Sequence, residues 1–151
     1  MTKNTIQVAC IKANLKKIRE FVGQVLESHQ LNAVDINLLV LAVDELCANL
    51  MIHSHGCNPE EEIEVCVEKS DEQLIFEVRD INDTLFNLKN YKIPEIQSLI
   101  KERKGGGIGL ILVKRIADEI ECEKRDKVNI YRFFKRFNSL SSSHDTTNAT
   151  N

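Results

Sequence analysis

Apolar and polar positions along this chain follow the two periods of regular secondary structure. Within Thr5–Ile11, Ile6, Val8 and Cys10 alternate with Gln7 and Ala9, which predicts a half-buried strand. Behind Asn14, a residue type that caps helix N-termini, Leu15, Ile18, Val22, Val25 and Leu26 recur at helical spacing. A second helix is expected from near Asn32 to about His53. Two strands follow, Ile63, Val65 and Val67 alternating with Glu62, Glu64 and Glu68, then Leu74, Phe76 and Val78 alternating with Glu77 and Arg79. Asp71-Glu72 supplies the turn between them. Residues 81–93 show no period, and Pro94 suits the first position of a short helix ending before the glycines at 105. A third long helix is expected from Leu110 to about Glu119, then strands near 120–125 and 128–137 joined at Asp126-Lys127. This order predicts an α+β two-layer sandwich, a mixed or antiparallel sheet with helices on one face.

Composition narrows the class. With 151 residues, 42% hydrophobic and 28% charged, the chain reads as one globular domain that needs no metal or disulfide staple. From Asn138 onward, NSLSSSHDTTNATN holds only Leu140 and Ala149 as apolar residues, so 1–137 is expected to be the domain and 138–151 a disordered tail. No apolar run approaches the ~20 residues that span a bilayer, and the first residues lack a secretory core. Cys10, Cys47, Cys57, Cys66 and Cys122 are scattered and odd in number, which predicts reduced cysteines and a cytoplasmic protein. A net charge of -3 argues against a nucleic-acid binder held by bulk charge. The charge is uneven: residues 59–80 carry nine acids and two bases, residues 101–136 eleven bases and six acids. Such a division fits two solvated faces, or a basic region that meets phosphates.

Three segments hold residues suited to chemistry. INLLVLAVDELCANLMI, from Ile36 to Ile52, is apolar nearly all round yet contains Asp44, Glu45 and Asn49. Glu45 and Asn49 are four apart and share a helical face, where a carboxylate is costly unless paired or hydrated. They suit either a solvent edge with a structural hydrogen bond, or a metal-and-base site, since Mg²⁺ prefers oxygen ligands and Glu45 can take a proton. Asp80 ends the strand LIFEVRD, where a carboxylate can accept a hydrogen bond from a ligand. Lys104, Gly105, Gly106, Gly107, Ile108 and Gly109 precede an expected helix and suit either a flexible hinge or a loop where backbone N–H groups and the helix dipole converge on an anion. It is neither a Walker loop, since no Gly-Lys-Ser/Thr follows, nor a dinucleotide fingerprint, since Leu110 stands where the third glycine would be.

In this order, the three segments resemble the motifs of the histidine-kinase-like (GHKL) ATPase superfamily, and most closely its anti-sigma-factor serine/threonine kinase branch. LAVDELCANLMIHSHG resembles the N box, with Glu45, Asn49 and His53 in register. VRDINDTLFN resembles the first glycine box, and KGGGIGLILVKRIADEIECEKRDKVNIYRFFKR the second box and closing strands, so the resemblance covers nearly all of residues 5–137. It implies the Bergerat ATP-binding fold, with Glu45 as general base, Asn49 on Mg²⁺, Asp80 accepting from the adenine amine, and Lys104 to Gly109 wrapping the phosphates as part of a lid. Asn82 departs from the pattern, which has glycine there, although Asn tolerates positive φ better than most residues. His53 and His55 are expected to serve local polar packing rather than to accept phosphate.

The resemblance further implies a cytoplasmic, Mg·ATP-dependent serine/threonine protein kinase acting as an anti-sigma regulatory factor. It would phosphorylate a small anti-anti-sigma-like antagonist, hold a sigma factor or similar regulator when unopposed, and form a homodimer without contacting nucleic acid or membrane. The alternatives are a non-catalytic ATP-binding module whose nucleotide state gates partner binding, and an orphan ATPase subunit.

Overall fold

The alternation of Val, Ile and Phe with charged residues is realised as a sheet with one face turned to a helical layer. The computed structural model describes residues 2–29, 31–81 and 113–137, apart from the side chains of His53 and Ser54. Strands β1 (Thr2–Ala9), β2 (Glu62–Lys69), β3 (Gln73–Ile81), β4 (Glu119–Arg125) and β5 (Val128–Arg136) form a five-stranded sheet in the order β1-β2-β3-β5-β4, with every neighbouring pair antiparallel. Helices α1 (Leu15–Glu27) and α2 (Ala33–Asn49) cover one face. This is the α+β two-layer sandwich the sequence predicts, its sheet wholly antiparallel among the described residues.

Register aligns the inward residues. Val65 stands opposite Ile6 and Val78, and Phe76 opposite Val67 and Phe133. The Phe76 and Phe133 rings stack with centroids 4.6 Å apart and planes 13° from parallel. Ile18, Val22 and Leu26 of α1, and Leu39, Val43 and Leu46 of α2, join these side chains in one buried cluster. On the other face, Glu77 lies between Arg132, at 2.6 Å, and Arg79, at 2.9 Å, and Arg132 also reaches Glu121 and Glu123 of β4. That network spans β3, β5 and β4 and replaces apolar cover on the open side.

Several boundaries differ from the sequence expectation, each for a physical reason. β1 begins at Thr2 because β2 offers it partners as far as Lys69. Asn14 does not cap α1; it belongs to a short 3₁₀ turn, Lys12–Asn14, and its Nδ2 donates instead to the Ala9 carbonyl at 2.9 Å. Asn32 does cap α2, its Oδ1 accepting from the Asp35 N–H at 2.8 Å. The α-helical part of α2 ends at Asn49, and a π-helical turn, Leu50–Ser54, carries the chain on. The expected helix to Glu119 ends earlier: among the described residues, 113–116 are helical, and Glu119 opens β4 opposite Phe134. Lys135 Nζ donates to the Ile116 carbonyl at 2.8 Å, and the Asp118 N–H to the Phe134 carbonyl at 2.8 Å, so β5 captures the helix end. The turns at Asp71-Glu72 and Asp126-Lys127 form as expected, with Asp126 at φ 55°. Residues 82–93, the short helix after Pro94, the Leu110 end of the third helix and the tail 138–151 lie outside the described residues. No described helix is long and apolar enough to cross a membrane.

Two measurements follow from this packing. Burial alone would push the Glu77 carboxyl upward, but hydrogen bonds from Arg132 and Arg79 outweigh it and hold the group below its ordinary value. A depressed carboxyl stabilises the fold above its unfolded value and loses that contribution as pH falls through the folded one. Glu77→Gln is therefore less stable than wild type at neutral pH, and the gap closes below about pH 4.5, as read from denaturant midpoints across a pH series. Among the thiols, burial raises Cys47 and Cys66, and it pushes Cys10 up to about 12 with help from Glu61 and Asp80. Alkylation of the native protein near pH 8 labels the half-exposed Cys57 and Cys122, while Cys10 and Cys47 react only on unfolding.

Candidate functional site

Asp44, Glu45 and Asn49 of α2 have different surroundings. Asp44 pairs with Arg19 of α1 at 2.9 Å, which accounts for that acid structurally. Glu45 is half-buried on the side of α2 where Val34 and Leu41 remain exposed, so the helix presents it outward rather than into the core. Asn49, one turn further on, is buried at 3% exposure. The i, i+4 spacing places the two on one face, an oxygen-bearing amide beside a reachable carboxylate. Among the described residues no group of three or more His, Cys, Asp or Glu is arranged to hold a metal. A cation at Asn49 would take its other ligands from a bound molecule and water, as Mg²⁺ commonly does.

The π-helical turn then redirects the chain. The His55 N–H bonds to the Leu50 carbonyl, five residues back, at 3.1 Å, and the Cys57 N–H bonds to the Met51 carbonyl at 2.8 Å. The wider turn shifts the face on which His55 emerges relative to a continuous α-helix. Gly56 and Cys57 follow with φ of 57° and 58°, and nothing lies within 4 Å of a Cβ built on Gly56. Glycine is thus used there for its backbone freedom, not for space.

His55 is buried, and each ring nitrogen faces a carboxylate. Its Nε2 lies 2.8 Å from Asp80 Oδ2 at the end of β3, and its Nδ1 meets Glu61 Oε2. The end of the α2 segment and the end of β3 are therefore tied by one side-chain bond across 25 residues of sequence. The Asp80 side chain is 0% exposed, and its second oxygen, Oδ1, is buried with no hydrogen-bond partner among the described residues. A buried acceptor left unsatisfied costs about 1–3 kcal/mol, and a donor reaching Oδ1 would remove that cost. Asp80 stands opposite Ile63 and Asn129 on the helix-covered face.

Glu61 and Asp80 also border a depression of about 500 Å³ whose remaining walls include Gln7, Glu62, Glu64, Arg79 and Val128. Those residues belong to strand ends and the open face, and the depression does not reach Glu45 or Asn49. Glu45 and Asn49 thus lie away from it, on the side of the helices, while Asp80 borders both regions. Of the residues singled out from sequence, the structure links Asp80 to the end of the α2 segment and keeps Glu45 and Asn49 on one face of α2. Asn82 and the loop Lys104, Gly105, Gly106, Gly107, Ile108 and Gly109 lie outside the described residues. Sequence reasoning missed the partnership of His55 with Asp80 and Glu61. The available signal was the pair of histidines in HSHG just ahead of the acidic run at 60–62.

Among curated proteins, no sequence matches this chain. Among solved structures, a chain in the crystal structure of the SiaB–SiaC complex from Pseudomonas aeruginosa is similar, with a TM-score of 0.60 at 12% identity over 89% of each chain. At that identity the likeness concerns the fold. Residues 9–135 match the model of the histidine kinase-like ATPase domain, a span that takes in the three motif segments and the strands apart from most of β1 and the final residue of β5 and of the third segment, Arg136. By that match, the protein belongs to the histidine kinase-like ATPase family.

Proposed function

We propose that this domain binds Mg·ATP and transfers the γ-phosphoryl group to a Ser or Thr of a small antagonist protein, as an anti-sigma-type regulator. The observation that carries the nucleotide part is Asp80 Oδ1, buried and without a partner among the described residues. An adenine 6-amino group supplies the donor this oxygen lacks, whereas the carbonyl of guanine sets acceptor against acceptor. Asn49 is the residue that would hold Mg²⁺, an oxygen ligand of the hard type that ion prefers. When bound, the ion neutralises charge on the phosphate oxygens.

Glu45 is reachable from solvent and adjacent to Asn49 on the helix, which suits a base beside the phosphates. In the transfer, the substrate hydroxyl oxygen bonds to the γ-phosphorus and the bond to the β–γ bridging oxygen breaks. The hydroxyl proton passes to Glu45, and ADP leaves. Lys104, Gly105, Gly106, Gly107, Ile108 and Gly109 are proposed to cradle the phosphates through backbone N–H groups. A protein partner is supported by the resemblance to the anti-sigma branch and by the fold shared with a chain of a two-protein complex. A sigma factor or similar regulator as the held partner, a homodimer and a cytoplasmic setting belong to the same proposal.

Two experiments test it. Calorimetric titration of the wild-type chain is expected to favour ATP over GTP by roughly 1–3 kcal/mol, with Asp80→Asn narrowing the gap; equal affinities in the wild type would sink the role given to Asp80. Glu45→Gln keeps the shape but removes the base, so ATP affinity holds while transfer to a cognate partner falls by ~10²-fold or more. Full activity in that variant, measured with labelled ATP, would remove Glu45 from the chemical step. A wild-type chain that binds ATP and changes its partner affinity without transferring phosphate would instead be the gating module.

A further inference from the structure

Given that nucleotide reading, on which this inference rests, we infer that His55 is a positioning residue for base recognition. It holds Asp80 by Oδ2 and thereby turns Oδ1 toward the 6-amino group. The χ2 torsion of aspartate is broad, so a carboxylate at a strand end does not present one particular oxygen unless the other is held. Among the described residues the hydrogen bond to Asp80 comes from His55 Nε2, at 2.8 Å, from a ring whose side chain is 1% exposed.

The ring is itself held from the far side. Glu61 meets Nδ1, and Glu61 is fixed through its backbone, its carbonyl accepting from the Cys10 N–H at 2.8 Å and its N–H donating to the Asn58 carbonyl at 3.1 Å. The wider turn Leu50–Ser54 sets where His55 emerges, so the π turn, the imidazole and the aspartate form a chain of constraints from α2 to β3. The His55 ring and the Asp80 carboxylate are buried, Glu61 is partly exposed, and the chain of contacts ends at the one Asp80 oxygen without a partner among the described residues. Preorganisation of this kind raises selectivity, because the acceptor does not have to be fixed at the moment of binding.

Two substitutions separate positioning from mere packing, because they imitate different ring nitrogens. A glutamine amide reaches the place of Nε2 and keeps a donor to Asp80; an asparagine amide reaches the place of Nδ1 and keeps only the contact with Glu61. Affinities of ATP and ITP, which differ at purine position 6, are measured by calorimetry on the full chain. The wild type and His55→Gln should prefer ATP, while in His55→Asn the ATP-to-ITP ratio falls by roughly 3- to 10-fold. Long-range ¹H–¹⁵N spectra of the wild type with ATP should show a proton on His55 Nε2. An undiminished ratio in His55→Asn overturns the inference, as does an equal loss in both variants, which a purely structural histidine would give. An unprotonated Nε2 in the wild type overturns it without recourse to any variant. A wild-type chain that binds neither nucleotide, or does not distinguish them, overturns the nucleotide reading itself.

Discussion

The apolar face of the antiparallel sheet has to be covered, and α1 and α2 cover it as one layer. Leu39, Val43 and Leu46 of α2 sit in the same buried cluster as Val65, Phe76, Tyr131 and Phe133 of the strands. Removing that area from water is the main favourable term in the fold, at roughly 25 cal/mol per Å² of apolar surface. It also fixes the rotation of α2 about its axis. Once Leu39, Val43 and Leu46 point inward, Glu45 is obliged to point toward the side where Val34 and Leu41 are exposed. The orientation of the candidate base is thus a by-product of core packing, and the Arg19–Asp44 ion pair holds the second acid of the helix away from it.

The same packing brings the end of the α2 segment close to the end of β3, and there the protein gives up regularity. A π-helical turn, two consecutive residues in the left-handed region and a histidine between two carboxylates occur within residues 50–61. Departures from ideal geometry and buried polar groups are costly, and they gather where a site has to be shaped. The open face of the sheet manages its polar groups differently. Glu77, Arg79, Arg132 and Glu121 satisfy one another there, and nothing in that network leaves an acceptor waiting as Asp80 Oδ1 does.

By itself, the sequence determined the class of fold and singled out the candidate residues Glu45, Asn49 and Asp80. The two-residue period from Glu62 to Arg79 decides which side of β2 and β3 faces the core, because a slip of one residue would bury glutamates. The turns at Asp71-Glu72 and Asp126-Lys127, the Asn32 cap, and the placing of Glu45 and Asn49 on one helical face are local consequences of residue type and spacing. Tertiary structure decided what local rules cannot reach. Asn14 looks like a cap, yet its amide is claimed by the Ala9 carbonyl, and the helix at 113–116 stops early because β5 takes its end. Likewise, His55 at the end of the N-box-like segment gains a partner 25 residues away only once helix and strand meet, since spacing along the chain does not encode a bond between elements that packing alone brings together.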